Sequence, residues 1–534
     1  MTDMTDMTRT PAPWWRDAVF YEVYVRSFAD SDGDGLGDIP GITSRLRYLR
    51  DLGVDALWIT PFYPSPQHDA GYDVADYTAV DARFGRLRDF DTLLTRAHEL
   101  GLKVVVDLVP NHTSSDHPWF KEALAAGPGS RARARYLFRK GRGRGGTRPP
   151  NNWESVFGGP AWTRVSDGEW YLHLFDTAQP DLDWRNPEVA ALFEDVLRFW
   201  LDRGVDGFRV DVAHGLLKMK SLRDRRGVLP GGRDLPADRE NRVMVERAVR
   251  DDPMWDQPEV HEVYRSWRRI LEEYAGDRMA VAEAWTHSAG SMARYVRADE
   301  LHQAFNFAWL LAPWSAAAFA DVVRGTLGAV GLVGAAPTWV LSNHDVVRHR
   351  TRYGGGARGL ARARAATLTM LALPGSAYLY QGEELGLEEV DVPPEFRQDP
   401  AWFRTGKVGR DGARVPIPWR GTRSPYGFAP AHAKPWLPMP ADWAGLTVTA
   451  QRRDPESTWC FYRAALRARR RLAQPEEVEI VPGRSTVLEL RRGDLTILCN
   501  CGSRPVRIPS GDVVMASGPL DGRLLPPDTA VWLR

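Results

Sequence analysis

Gly207-Phe208-Arg209-Val210-Asp211 reads as a short strand that ends on a carboxylate. Strand side chains alternate with a period of two, so Arg209 and Asp211 share one face. A guanidinium at that position holds a carboxylate ionised, and a lowered pKa is expected at Asp211. Seven further short apolar runs stand at 18–25, 56–60, 104–108, 279–282, 303–307, 338–341 and 377–380. Amphipathic stretches at 45–52, 90–100, 189–201 and 260–274 lie between them; Leu46, Leu49 and Leu52 mark one helical face, and Leu93, Leu94, Ala97 and Leu100 another. Strands alternating with helices predict a parallel sheet, and eight of them predict a closed α/β barrel. The gaps after the third and fourth strands are too long for simple crossovers. The first, 112–183, is rich in Gly, Pro and Arg and predicts an inserted subdomain, with the basic run 131–148 as a solvated loop. A last helix at 455–472 carries Trp459, Tyr462, Ala465 and Leu466 at helical spacing. Beyond it, STVLEL and DLTILCN alternate between turn residues and predict a small antiparallel β domain.

Length and composition agree with several folded units. The chain has 534 residues, 43% hydrophobic and 26% charged, as an ordinary globular protein has. Lys+Arg is 70 against Asp+Glu 69, so the basic excess of a phosphate-tracking nucleic-acid binder is missing. No run of about 18 apolar residues predicts a membrane span. The opening MTDMTDMTRTPAPWW has no apolar h-region, and Cys460, Cys499 and Cys501 are too sparse for a disulfide framework; a cytoplasmic protein is expected. The 21 Trp are an excess, and indole faces suit sugar rings as well as cores. Trp153, Trp162, Trp285 and Trp419 fall on expected rim loops, whereas Trp58, Trp200 and Trp459 fall in expected strands or helices.

In such a barrel, chemistry collects where the strands end. Asn111-His112 follows the third strand, Asp211 ends the fourth, Glu283 the fifth, and Asn343-His344-Asp345 the seventh. Paired carboxylates suit glycoside hydrolysis, in which one is an ionised nucleophile and the other a protonated acid. Glu283, between Ala282 and Ala284-Trp285, has apolar neighbours that favour a raised pKa and the acid role. Elsewhere, DSDGDGLGD (30–38) sets Asp30, Asp32 and Asp34 at alternate positions with Gly35 for a sharp turn, like the start of an EF-hand loop; Gly41 replaces the closing Glu.

DLVPNH (107–112), GFRVD (207–211), AEAW (282–285) and SNHD (342–345), in that order, resemble the four main motifs of the α-amylase family, glycoside hydrolase family 13. QPDLDW (179–184) resembles its fifth, in the form of the oligo-1,6-glucosidase and α-glucosidase subgroup. The resemblance implies a (β/α)8 TIM barrel at 14–111 and 186–473, an inserted B subdomain at 112–185, and a C-terminal antiparallel β domain at 474–534. It implies Asp211 as nucleophile, Glu283 as acid/base and Asp345 as the carboxylate that stabilises the transition state. His112 and His344 would bind hydroxyls in subsite −1, and Arg209 would orient Asp211.

Asp69 and Tyr72 in DAGYD match a motif of exo-acting α-glucosidases. There the Asp pairs with an Arg after the eighth strand and closes the pocket behind the terminal glucose, while the Tyr is a stacking platform. The Arg is Arg410 or Arg414. The same resemblance implies a structural Ca²⁺, with Mg²⁺ as the alternative, held by Asp30, Asp32, Asp34, Leu36 and Asp38, and no organic cofactor. Val212 accompanies α-1,6 activity in this family, yet DVAHGL (211–216) and YQGEELGL (380–387) most resemble actinobacterial α-glucosidases acting on maltose-like substrates. RVPIPW (414–419) departs from the usual RTPMQW of the +1 subsite. An exo-acting retaining α-glucosidase taking a disaccharide or short oligosaccharide is expected, with no nucleic-acid or membrane partner. Oligo-1,6-glucosidase (isomaltase) and the maltose-rearranging trehalose synthase are the alternatives, and transglycosylation is an expected side activity.

Overall fold

The computed structural model describes residues 12–225, 251–472, 475–483 and 485–534. Eight parallel strands form the barrel: β1 Val19–Val23, β2 Ala56–Ile59, β3 Lys103–Leu108, β4 Gly207–Val210, β5 Met279–Ala282, β6 Gln303–Ala304, β7 Thr338–Val340 and β8 Ser376–Tyr380. Hydrogen bonds link them in the order β7-β8-β1-β2-β3-β4-β5-β6. Among the described residues no ladder joins β6 to β7, so the barrel is nearly closed. The expected strand at 303–307 is two residues long because Asn306 caps a helical turn, Phe307–Leu310, by accepting from the Trp309 N–H at 3.1 Å.

The strands bury both faces. Phe20, Trp58, Val105, Met279, Val281, Phe305, Val340 and Tyr378 pack inside the barrel. The alternate side chains, Tyr21, Val23, Leu57, Ile59, Val104, Val106 and Phe208 among them, pack outward against the helices. Those helices include α1 Ile39–Leu52, α2 Leu87–Glu99, α3 Pro187–Asp202, α4 Val260–Glu272, α5 Ala316–Gly331, α6 Gly356–Ala372 and α7 Thr458–Arg471. Their apolar stripes are those read from the sequence: Leu46, Leu49 and Leu52 of α1 are buried, as are Leu93, Leu94 and Ala97 of α2.

After β3 the chain leaves the barrel. It forms a helix, Pro118–Ala126, and a three-stranded antiparallel sheet in the spatial order Phe138–Lys140, Glu169–Leu172, Trp162–Arg164. A bridge between His112 and Asp181 ties its two ends together at the rim. The second long gap, after β4, includes 226–250, outside the described residues. The expected boundary at 473/474 is outside them too. C-terminal to it, β9 Glu479–Ile480, β10 Val487–Arg492, β11 Leu495–Asn500, β12 Val513–Ala516 and β13 Thr529–Leu533 form an antiparallel sheet in the order β9-β10-β11-β13-β12. It docks on α6 through Trp532 Nε1 to the Leu368 carbonyl (3.0 Å) and Arg492 Nη1 to the Ala372 carbonyl (3.0 Å). Among the described residues no helix is long and apolar enough to cross a membrane.

Candidate active site

The C-terminal ends of β3, β4 and β5 bring three carboxylates onto one buried guanidinium. Parallel register sets Asp107 opposite Arg209. Arg209 Nη1 bonds Asp107 Oδ1 at 3.0 Å and forms an ion pair with Asp211 Oδ1, while Nη2 lies 3.5 Å from Glu283 Oε2. The guanidinium sits over the Trp58 ring, 5.0 Å from its centroid. Tyr72 OH and Trp58 Nε1 donate to Asp107 Oδ2 at 3.0 and 3.1 Å. Burial, only partly offset by Arg209, pushes Asp107 up to about 7.

Val212, directly after Asp211, has φ +47°, a left-handed conformation that is strained for a β-branched residue. That geometry aims its N–H at Glu283 Oε2, 2.6 Å away, and Trp285 Nε1 donates to Oε1 at 2.8 Å. Such strain costs about 1–3 kcal/mol and persists only where surrounding contacts fix it. Here the fixed object is the Glu283 carboxyl.

The expectation of a lowered Asp211 pKa does not hold. Burial pushes Asp211 up and outweighs Arg209, and Glu283 adds to the rise. Glu283 is raised as well, by burial first and then by Asp345, against Arg209. Two such carboxyls take up and release protons as a pair, holding one proton between them in the intermediate range. Asp211 makes the direct ion pair with Arg209, while Glu283 accepts from the Val212 N–H and Trp285 Nε1.

Asp345 is opposite in character. Burial alone would raise it, but His344, Arg410, Arg414 and Arg209 hold it well below the usual carboxylate range. Arg410 Nη1 and Arg414 Nη2 donate to Oδ1 at 2.9 and 3.0 Å, and His344 Nε2 lies 3.2 Å from Oδ2. Arg410 is also the partner of Asp69: Nη2 donates to Asp69 Oδ1 at 2.7 Å. Arg414 instead donates from Nε to the His344 carbonyl, 2.9 Å. Of the two candidates left open by the sequence, Arg410 is therefore the latch. Asp69 is pushed up to about 6 by burial, with Arg410 pulling against it.

The aromatic and imidazole residues complete the wall. The Tyr72 ring stacks on His344, centroids 5.2 Å apart and 16° from parallel. His112 Nε2 lies 3.1 Å from both the Tyr72 carbonyl and Gln179 Nε2, and burial lowers its pKa to about 4, so it is neutral.

Several contributors escaped the sequence reading. Gln179 donates to Asp69 Oδ2 at 3.1 Å and stands in the QPDLDW motif, so its signal was present. Asp399, which holds Arg410 through its Nε, had none. Glu22, buried against His344 Nδ1, was visible only as a charged residue inside an apolar strand. The tryptophans expected at the rim are corrected: Trp153 and Trp162 pack inside the inserted subdomain, and Trp419 is buried with its N–H on the Phe28 carbonyl (2.7 Å). Of the four, Trp285 reaches Glu283.

The 30–38 loop brings three of its five expected ligands together: oxygens of Asp30, Asp32 and Asp38 lie within 4.8 Å of one another. Asp34 is not in that cluster; its Oδ1 instead accepts from the Leu36 N–H at 2.7 Å. Asp38 Oδ1 caps α1 and its Oδ2 accepts from Ser31 N and Oγ, 2.8 Å each. A donor set of carboxylate oxygens fits a hard cation such as Ca²⁺ or Mg²⁺.

Comparison with known proteins agrees with this geometry. Residues 22–475 match the model of the α-amylase catalytic domain. A probable α-glucosidase of Rhizobium meliloti is 39% identical over 513 residues, covering 91% of this chain and 88% of that protein. An oligo-1,6-glucosidase of Parageobacillus thermoglucosidasius is 35% identical over 86% of this chain and 84% of its own length. Among solved structures, the α-glucosyl transfer enzyme XgtA superposes with a TM-score of 0.88 at 37% identity, over 98% of this chain and all of that one (100%). The chain belongs to the α-amylase family, glycoside hydrolase family 13, and carries a glycosidase's carboxylate site at the C-terminal rim of its barrel.

Proposed function

We propose that this protein is an exo-acting, retaining α-glucosidase that releases α-D-glucose from the non-reducing end of maltose and short α-glucooligosaccharides. The Asp69–Arg410 pair carries the exo assignment: it spans from the loop after β2 to the loop after β8, and Arg410 bonds Asp345 in the same grip. A pocket shut behind subsite −1 admits a chain end and excludes an internal residue. Glu283, holding the shared proton, protonates the glycosidic oxygen as Asp211 attacks C1. Water deprotonated by Glu283 then releases the covalent glucosyl-enzyme. Asp345, kept ionised by its two arginines, faces the positive charge that develops on the ring. A second sugar in place of water gives transglycosylation. The name of XgtA as an α-glucosyl transfer enzyme supports that side activity.

Val212, the residue that accompanies α-1,6 activity in this family, favours α-1,6 linkages as the second specificity, and the oligo-1,6-glucosidase relative supports it. A trehalose synthase would turn maltose into trehalose rather than glucose. We assign a structural Ca²⁺, or Mg²⁺, to Asp30, Asp32 and Asp38, with Asp34 and the Leu36 carbonyl as the remaining ligands. The three cysteines are free thiols, which suits a reducing compartment such as the cytoplasm. DVAHGL and YQGEELGL support a likeness to actinobacterial α-glucosidases within the subgroup.

The test is Asp211→Ala and Glu283→Gln. Losing the general acid costs about 10²–10⁴-fold in turnover, and losing the nucleophile costs more, with unchanged circular dichroism. NMR of fresh product from an aryl α-glucoside, whose only glucose is the transferred ring, gives α-glucose first. Near-normal turnover in either variant, or β-glucose as first product, sinks the assignment.

A further inference from the structure

Glu22 is a carboxyl near the C-terminal end of β1, on the inward face that also carries Phe20, and it is 1% exposed. Nothing in the steps above uses it. Its Oε1 meets His344 Nδ1. The other ring nitrogen, Nε2, faces Asp345 Oδ2 at 3.2 Å. The ring is held flat between Tyr24, centroid 5.6 Å away, and Tyr72, 5.2 Å away, so it cannot swing off either carboxyl. Glu22, His344 and Asp345 therefore form one chain of acid, imidazole and acid leading from the barrel interior to subsite −1.

The protons in that chain can be counted. An imidazolium would satisfy both carboxylates, but burial first, and then Arg414, Arg209 and Arg410 against the pull of Asp345, hold the ring well below its usual pKa. A neutral imidazole has one N–H. If it sat on Nδ1, bare Nε2 would face Asp345, which Arg410 and Arg414 keep anionic by donating to Oδ1. Two lone pairs would then oppose each other. The remaining arrangement places N–H on Nε2 toward Asp345 and requires a donor at Nδ1, and among the described residues the group there is Glu22. Burial is the largest influence raising Glu22; Arg209 from β4 and the His344 backbone N–H lower it, while Asp345 after β7 and Asp107 from β3 raise it further. From β8, Tyr380 feels it as well.

We propose that Glu22 is a positioning residue that carries a proton and donates it to His344 Nδ1, fixing the Nε2–H tautomer on the side of the substrate. The activity arm of the test rests on the α-glucosidase assignment; the spectroscopic arm does not. The tautomer is read by ¹⁵N NMR of imidazole-labelled protein, with His344→Gln identifying the signal. Wild type shows Nε2 protonated and Nδ1 bare from pH 6 to 8. Glu22→Leu, which offers no donor, loses this signature and about 10–100-fold in kcat, the range found for outer partners of catalytic groups, with KM little changed. Glu22→Gln, whose amide N–H can replace the acid, restores the signature and recovers most of that kcat. A His344 signal of Nδ1–H or imidazolium form overturns the proposal, as does a Glu22→Gln kcat no better than that of Glu22→Leu. If Glu22→Leu does not fold, the wild-type spectrum and the Glu22→Gln kcat, which then must lie within about threefold of wild type, still decide.

Discussion

Arg410→Met removes one guanidinium from three carboxylates at once. Its Nη2 bonds Asp69 at 2.7 Å, its Nη1 bonds Asp345 at 2.9 Å, and its Nε bonds Asp399. The three losses differ in effect. Asp399 keeps the Ala401 N–H at 2.8 Å and Arg414 at 3.8 Å, so its share falls on stability. Asp345 keeps Arg414 at 3.0 Å, and Asp69 keeps only Gln179 at 3.1 Å. A hydrogen bond to a charged group contributes about 1.5–3 kcal/mol. Two of them bear on subsite −1, which gives about 3–6 kcal/mol, or about 10²–10⁴-fold in kcat/KM. Breaking a buried pair costs about 3–5 kcal/mol. The smaller figure applies here, because Asp69, already raised to about 6, can take up a proton and shed its charge. The assay is kcat/KM on maltose and on an aryl α-glucoside, with thermal melts beside it. Activity on longer malto-oligosaccharides relative to maltose should rise as the wall opens. Arg410→Lys should recover Asp69 or Asp345 but not both, since an ammonium lacks the planar fork. If Arg410→Met keeps kcat/KM within about threefold of wild type and melts unchanged, the latch is not what selects chain ends.

Glu383, buried after β8 and raised by burial from 4.5 to about 8, makes stability fall with pH: below 4.5 folded and unfolded chains are both protonated, and above it only the folded chain keeps the proton until about pH 8. Glu383→Gln should therefore melt higher than wild type at pH 8 and equally at pH 4.5; parallel melting curves across that range refute the assignment. Chelation with EDTA, or Asp30→Asn, should lower the melting temperature, and added Ca²⁺ should restore it in the chelated wild type alone. Equal melting with and without Ca²⁺ removes the cation from the 30–38 loop.

The barrel was legible because its signals are local. A strand such as GFRVD carries its own period, and its last residue is the one that faces the rim. Asp211, Glu283 and Asp345 were therefore placed on one rim before any contact was known. The last strands of the reading were weaker: at 303–307 a single Asn306 cap turned the second half into a helical turn. The tryptophans misled because burial in an inserted subdomain leaves no periodic trace in so short a set of strands.

The sequence by itself determined the order of strands and the chemistry of their ends. Tertiary structure decided how charge is shared among those ends. Arg410 rather than Arg414 reaches Asp69, since a non-repeating loop folds by its contacts and Asp399 anchors it. Asp211 is raised rather than lowered, because burial is a property of the whole rim and outweighs one neighbouring arginine. Glu22 joins His344 across 322 residues of sequence, a distance over which only the closing of the barrel brings two side chains together.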